Sequence, residues 1–187
     1  PPDALPCYYP LFELGSGLLG GLALYVSPDV AGLSGAIFGW LLLTAAALDA
    51  EHHWLPDRLT ISIAVLGLAF SFVVAQPPFL DRMIGGLAGF LSLFLVATAY
   101  RMVRSREGLG GGDPKLLGAI GCWLGWGALP LVLLGASVVG LIAVGLMLLR
   151  DQAMSATSAL PLGSFMAVVA FPLWLYQTAI GGTPLLP

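Results

Sequence analysis

Residues Val30 to Leu48 read VAGLSGAIFGWLLLTAAAL, a run with no charged side chain that is closed by Asp49. At 1.5 Å rise per residue such a run is about 28 Å long as a helix, the thickness of a bilayer's hydrocarbon core. Working outward, Tyr9–Val26 is a similar run ended by Ser27-Pro28-Asp29, and Leu59–Ala75 is ended by Gln76-Pro77-Pro78. Met83–Val103, a short Leu116–Trp126, Leu129–Leu149 and Leu162–Ile180 complete the set. The expected fold is all-α, a polytopic transmembrane bundle of six to seven helices. The fifth is too short to span upright, at roughly 16 Å, and needs support from its neighbours.

Composition agrees. Of 187 residues, 58% are hydrophobic and 9% charged, whereas soluble domains carry about a quarter charged residues. The net charge of −3 comes without a basic run, so no Lys/Arg cluster is available to neutralise nucleic-acid phosphates. Cys7 and Cys122 lack CxxC spacing, and neither a disulfide framework nor a zinc site is expected. The chain opens Pro1-Pro2-Asp3 rather than with Met, so upstream residues are expected, and no basic segment precedes the first apolar run as in a signal peptide.

Alternating the loops places Arg58, Arg101, Arg104, Arg106, Lys115 and Arg150 on one side and Arg82 on the other. By the positive-inside rule the first side is cytoplasmic, provided the short fifth helix counts as a crossing. Glycines recur four residues apart at Gly17 and Gly21, Gly35 and Gly39, Gly85 and Gly89, and Gly121 and Gly125. That spacing lets helix backbones approach closely in lipid and predicts a compact bundle without indicating any chemistry.

Two stretches resist a purely structural reading: Leu48-Asp49-Ala50-Glu51-His52-His53-Trp54-Leu55-Pro56-Asp57-Arg58, and Gly108-Leu109-Gly110-Gly111-Gly112-Asp113-Pro114-Lys115. Both fall at the same membrane boundary. Asp113, ahead of Pro114 and an apolar run, reads either as a helix N-cap or as a functional acid, and Asp57 after Pro56 has the same two readings. Asp49 has no capping role available. It closes an apolar run where the helix macrodipole disfavours negative charge, and boundary carboxylates of this kind are functional candidates. Gly110, Gly111 and Gly112 leave the backbone free for positive φ and clear of side chains, as an extended peptide lying against a catalytic group requires. With no strand before it and no Gly-Lys-Ser/Thr after it, the glycine stretch is not a phosphate loop. His52 and His53 point to different helix faces and have no further ligands nearby, so no metal site is read there, and Trp54 reads as an interfacial anchor.

Two carboxylates in one site do not both ionise readily, so such a pair holds one proton and supplies a base and an acid together. The same pair could instead bind or relay ions in an ion- or proton-coupled transporter, or Asp49 could be dispensable in a non-catalytic scaffold. A transporter predicts acids deep in the bilayer and repeated halves. Here the acids lie at one edge, and no internal repeat is visible.

At these segments the chain resembles the type IV prepilin peptidases, GxGD-type membrane aspartic proteases. The matching elements are Asp49 through Pro56-Asp57 and Gly110-Gly111-Gly112-Asp113-Pro114-Lys115, with Tyr9-Pro10-Leu11-Phe12-Glu13 before them and Leu160-Pro161-Leu162-Gly163-Ser164-Phe165 after. Presenilin-like proteases share Gly-x-Gly-Asp but place a Tyr before the first aspartate, where Leu48 stands here. The resemblance implies a single integral-membrane peptidase domain over residues 1–187, with Asp49 and Asp113 catalytic and Asp57, Lys115, Gly110 and Gly112 in support. It implies prepilin or pseudopilin substrates of type IV pili and type II secretion, cut after a Gly that ends a short basic leader. It also implies a bacterial inner-membrane location with the site on the cytoplasmic side. Many members carry an N-terminal region with two CxxC pairs, where Cys7 alone stands here, so either the enzyme is a peptidase only or upstream residues hold that region. Proteolysis needs no cofactor, and S-adenosylmethionine enters only if N-methylation is retained.

Overall fold

The structure is a computed structural model that describes residues 9–52, 54–104, 110–149 and 161–181. Seven α-helices run through them: α1 Tyr9–Val26, α2 Val30–His52, α3 Asp57–Phe70, α4 Phe79–Arg104, α5 Asp113–Leu124, α6 Leu129–Leu149 and α7 Leu162–Ala179. A 3-10 turn, Trp126–Ala128, joins α5 to α6. The fold is the expected polytopic bundle. By length and apolarity α2, α4, α6 and α7 can each cross a membrane, and α1 is a shorter apolar helix.

The short helix sits at the centre. Every residue of α5 except Lys115 is buried, because α3 and α4 pack along it and α7 covers it from another side. Its indole Trp123 stacks on Phe38 of α2 with ring centroids 4.6 Å apart, lies 5.6 Å from Phe70 of α3, and donates Nε1–H to the Ile63 carbonyl at 2.7 Å. The neighbours thus supply the length that α5 lacks.

Glycine makes that packing possible between α4 and α5. A methyl at Gly85 would lie 2.5 Å from the Gly121 carbonyl oxygen, and one at Gly89 would lie 2.7 Å from that of Leu117. Gly35 and Gly39 serve a different partner, since the Trp174 and Phe171 rings of α7 occupy the space their side chains would fill. Gly17 and Gly21 depart from the expectation: nothing lies within 4 Å of a methyl at either. Among the described residues their face of α1 meets no neighbour.

Helix limits differ from the sequence reading for local reasons. Asp29 caps α2, its Oδ1 accepting the Ser27 hydroxyl at 2.7 Å and the Ala31 and Gly32 amides at 2.9 and 3.2 Å. The Ser27 bond above all, with the amide bonds, holds the Asp29 carboxyl below the usual carboxylate range. α3 stops at Phe70, short of Ala75, and α4 begins at Phe79, ahead of Met83. Between them Arg82, 2% exposed, donates Nη1–H to Gly67 O at 2.8 Å and Nε–H to Pro77 O at 2.9 Å. Its Nη2 reaches Val74 O and Gln76 O at 3.3 and 3.2 Å. Arg82, counted above as a loop charge, is therefore a buried cap on the end of α3 and the turn beyond it. Arg106 and Arg150 of the orientation argument lie outside the described residues.

Candidate active site

Four helix ends converge at one end of the bundle: the last turn of α2 and the first turns of α3, α5 and α7. They enclose a cleft of about 620 Å³ lined by Asp49, Leu55, Asp57, Arg58, Asp113 and Lys115, with the Gly110-Gly111-Gly112 turn and Trp54, Pro56 and Leu162 completing its wall.

Asp49 and Asp113, 64 positions apart by their numbers (113 − 49), both line this cleft and are 5% and 6% exposed. Asp49 does not end its helix, because α2 continues to His52. The unfavourable field of the α2 C-terminus is met by the N-terminus of α7. There the Ser164 amide donates to Asp49 Oδ2 at 2.7 Å, and the Ser164 hydroxyl lies 3.2 Å from the same oxygen. A free amide at a helix N-terminus is a ready anion site.

Asp113 is the first residue of α5, and its carboxylate does not cap that helix. The N-cap is Gly112, which forms no side-chain bond, and Asp113 Oδ2 instead accepts the Gly110 amide at 3.2 Å. Asp57 likewise makes no capping bond on α3. Its Oδ1 accepts Lys115 Nζ in an ion pair that ties the starts of α3 and α5 together at the cleft mouth. The structural alternative open for both aspartates in the sequence, helix capping, is not what their carboxylates do.

The glycine turn works by proximity rather than by positive φ. Gly112 has φ −81°, and among the described residues the positive-φ glycines are Gly125 and Gly181. A methyl at Gly112 would sit 2.8 Å from Leu55 Cβ, and one at Gly110 3.2 Å from Asp113 Oδ2. Gly111 faces open space. Gly108 and His53 lie outside the described residues. His52 is exposed beside Glu51, and Trp54 is exposed at the cleft. Among the described residues no three His, Cys, Asp or Glu side chains gather as metal ligands.

Leu55, Gly163 and Ser164 were given no role by sequence reasoning. Leu55 is 4% exposed and packs against both Gly112 and Gly163. Its only sequence signal is an apolar residue inside a polar connection. For Ser164 the signal was a hydroxyl residue in the first turn of an apolar run, with nothing to name its partner.

Residues 36–145 match the model of the type IV leader peptidase family. The chain is 37% identical over 179 residues to the prepilin leader peptidase/N-methyltransferase of Aeromonas salmonicida (strain A449), covering 95% of this chain and 61% of that protein. It is 46% identical over 130 residues to the like-named protein of Klebsiella pneumoniae, 69% of this chain and 57% of that one. For the Dickeya chrysanthemi protein of that name the figures are 41% over 175 residues, 93% and 61%. The chain thus spans about three fifths of the length of the curated relatives it matches. No solved structure matches.

Proposed function

The chain belongs to the type IV leader peptidase family, and from that premise we propose that it is a membrane aspartic endopeptidase that removes leader peptides from prepilins or type II secretion pseudopilins. The observation that carries the proposal is the meeting of Asp49 and Asp113, from α2 and α5, on one cleft at one end of the bundle. The matched relatives bear the name of this activity. Residues 1–187 act as one integral-membrane peptidase domain in the bacterial inner membrane, with the cleft on the cytoplasmic side. Cleavage falls after the Gly that ends a short basic leader.

In the mechanism the two carboxylates share one proton. The ionised member takes a proton from water as the water oxygen attacks the scissile carbonyl carbon. The protonated member then donates to the leaving nitrogen as the C–N bond breaks. The products are a leader carboxylic acid and a mature N-terminal amine, and the pair again holds one proton. Burial of both carboxylates keeps bulk water from screening them. Asp57 and Lys115 brace the mouth, and Gly110 and Gly112 let the Asp113 turn lie flat beneath an extended peptide.

The relatives' names also include N-methyltransferase. That chemistry draws its methyl group from S-adenosylmethionine. The described lining, carboxylates beside an Asp57–Lys115 pair, does not mark a site for that donor, and no methyl-transfer step is proposed. An ion- or proton-coupled transporter using Asp49 and Asp113 needs a path through the bundle, and a pocket at one end does not favour it.

The test is cleavage of a purified prepilin by the detergent-solubilised protein, with Asp49→Asn and Asp113→Asn alongside. Wild type is expected to cut after the leader glycine, and each variant to lose at least about a hundredfold while remaining folded. Normal cutting by either variant would sink the dyad and make Asp57 the next candidate.

A further inference from the structure

The first turn of α7 touches the proposed dyad more closely than any other element. Ser164 contributes two donors to one oxygen of Asp49: its amide at 2.7 Å and its hydroxyl at 3.2 Å, both to Oδ2. The hydroxyl also lies 2.8 Å from the Ala46 carbonyl, one turn back on α2. Among the described residues no donor reaches Oδ1. Gly163 makes the approach possible, since a methyl there would stand 2.9 Å from Oδ2 and 2.9 Å from Leu55 Cδ1. This contact joins residues 115 positions apart, between helices that have no other reason to exchange a buried carboxylate bond.

We propose that Ser164, admitted by Gly163, is a positioning residue that fixes which oxygen of Asp49 exchanges protons with the attacking water. With both donors on Oδ2, the lone pairs of that oxygen are occupied, and Oδ1 is the atom left to the cleft that Asp49 lines. The two donors hold the plane of the carboxylate, so that one oxygen always faces Ser164 and the other is left free of it. The Ser164 hydroxyl has one hydrogen and two acceptors. It can turn from the Ala46 carbonyl toward Oδ2 when Asp49 is ionised, and back when Asp49 carries the proton. In either position the hydroxyl keeps one acceptor, so the clamp follows the proton without moving a helix.

The inference rests on the peptidase reading, and the experiment separates the two. Steady-state prepilin cleavage is measured across pH for wild type, Ser164→Ala, Ser164→Thr and Gly163→Ala, with Asp49→Asn as control. Asp57, Arg58, Asp113 and Lys115, the other titratable groups on the cleft, are unchanged throughout. Ser164→Ala is expected to lower kcat about tenfold with KM unchanged, as loss of a bond to a charged group implies. Its pH–rate limbs should move, and Ser164→Thr, which keeps the hydroxyl, should recover most of the rate. Gly163→Ala, which drives a methyl against the carboxylate, should lose more. If Ser164→Ala does not accumulate, Ser164→Cys, with its weak donor, gives the same comparison and the same expected loss. Wild-type kcat and pH profile in the hydroxyl-deficient variant, with only its melting temperature lowered, would reduce Ser164 to a brace between α7 and α2 and overturn the proposal. Normal activity of Asp49→Asn would instead overturn the peptidase reading beneath it.

Discussion

Replacing Arg82 with Leu removes a guanidinium that serves four carbonyl oxygens at once, those of Gly67, Val74, Gln76 and Pro77. The bond to Gly67 is buried and those to Val74, Gln76 and Pro77 are part-buried, so water takes over only some of the vacated acceptors. The bonds to Gly67 and Pro77, at 2.8 and 2.9 Å, carry most of the energy, and the two beyond 3.1 Å add less. Allowing for the desolvation that a leucine no longer bears, the expected loss is about 3 kcal/mol. For a chain of this size that is a fall of about 10 °C in melting temperature. Arg82→Lys should fall between, because an ammonium presents its donors from one atom and cannot fork across the turn. The assay is thermal unfolding in a mild detergent followed by circular dichroism, with prepilin cleavage as a second readout. The cap lies at the opposite end of α3 from the cleft, so activity at low temperature should persist. Melting of Arg82→Leu within about 2 °C of wild type would refute the capping role.

The α4–α5 contact predicts a contrast among glycines of identical spacing. Gly121→Ala places a methyl 2.3 Å from the Gly85 carbonyl oxygen, backbone against backbone, and should cost upwards of about 3 kcal/mol. Gly17→Ala and Gly21→Ala meet nothing within 4 Å and should melt at or above the wild-type temperature, and a matched loss in all three variants would refute the packing. For Asp29, whose carboxyl the Ser27 hydroxyl and the Gly32 and Ala31 amides hold low, the folded form favours the ion. Its contribution is complete above the unfolded value of about 3.9 and is lost as pH falls through the lower folded value. Asp29→Asn keeps a cap but no charge, so its stability deficit should be present at neutral pH and vanish in strong acid. A deficit constant with pH would count against the assignment.

The bundle was legible because long uncharged runs leave few alternatives, and the shortness of α5 announced its dependence on neighbours. Asp49 stood out because a negative charge at the end of a helix needs a reason, and that reason lay in residue 164, where no periodicity points. Arg82 was misread for a related cause. Counting charges by loop treats every Arg as solvated, whereas this one folds back onto carbonyls of the preceding helix and turn. Gly17 and Gly85 look alike in sequence because spacing records which residues share a face and not what the face meets. The aspartates of the glycine turn and of α3 looked like caps because their positions suit capping, while their carboxylates bond elsewhere.

The order of the chain gives the cleft a further property. Asp49, Asp57 and Asp113 are all synthesised before the first turn of α7, yet the donors on Asp49 come from that turn. Until α7 inserts, the acid on α2 lacks its partner, and α5, about 18 Å long by its rise, lacks one of its walls. A nascent chain with six helices in place therefore carries all three carboxylates and no finished cleft. The proposed dyad is complete only once α7 is in place.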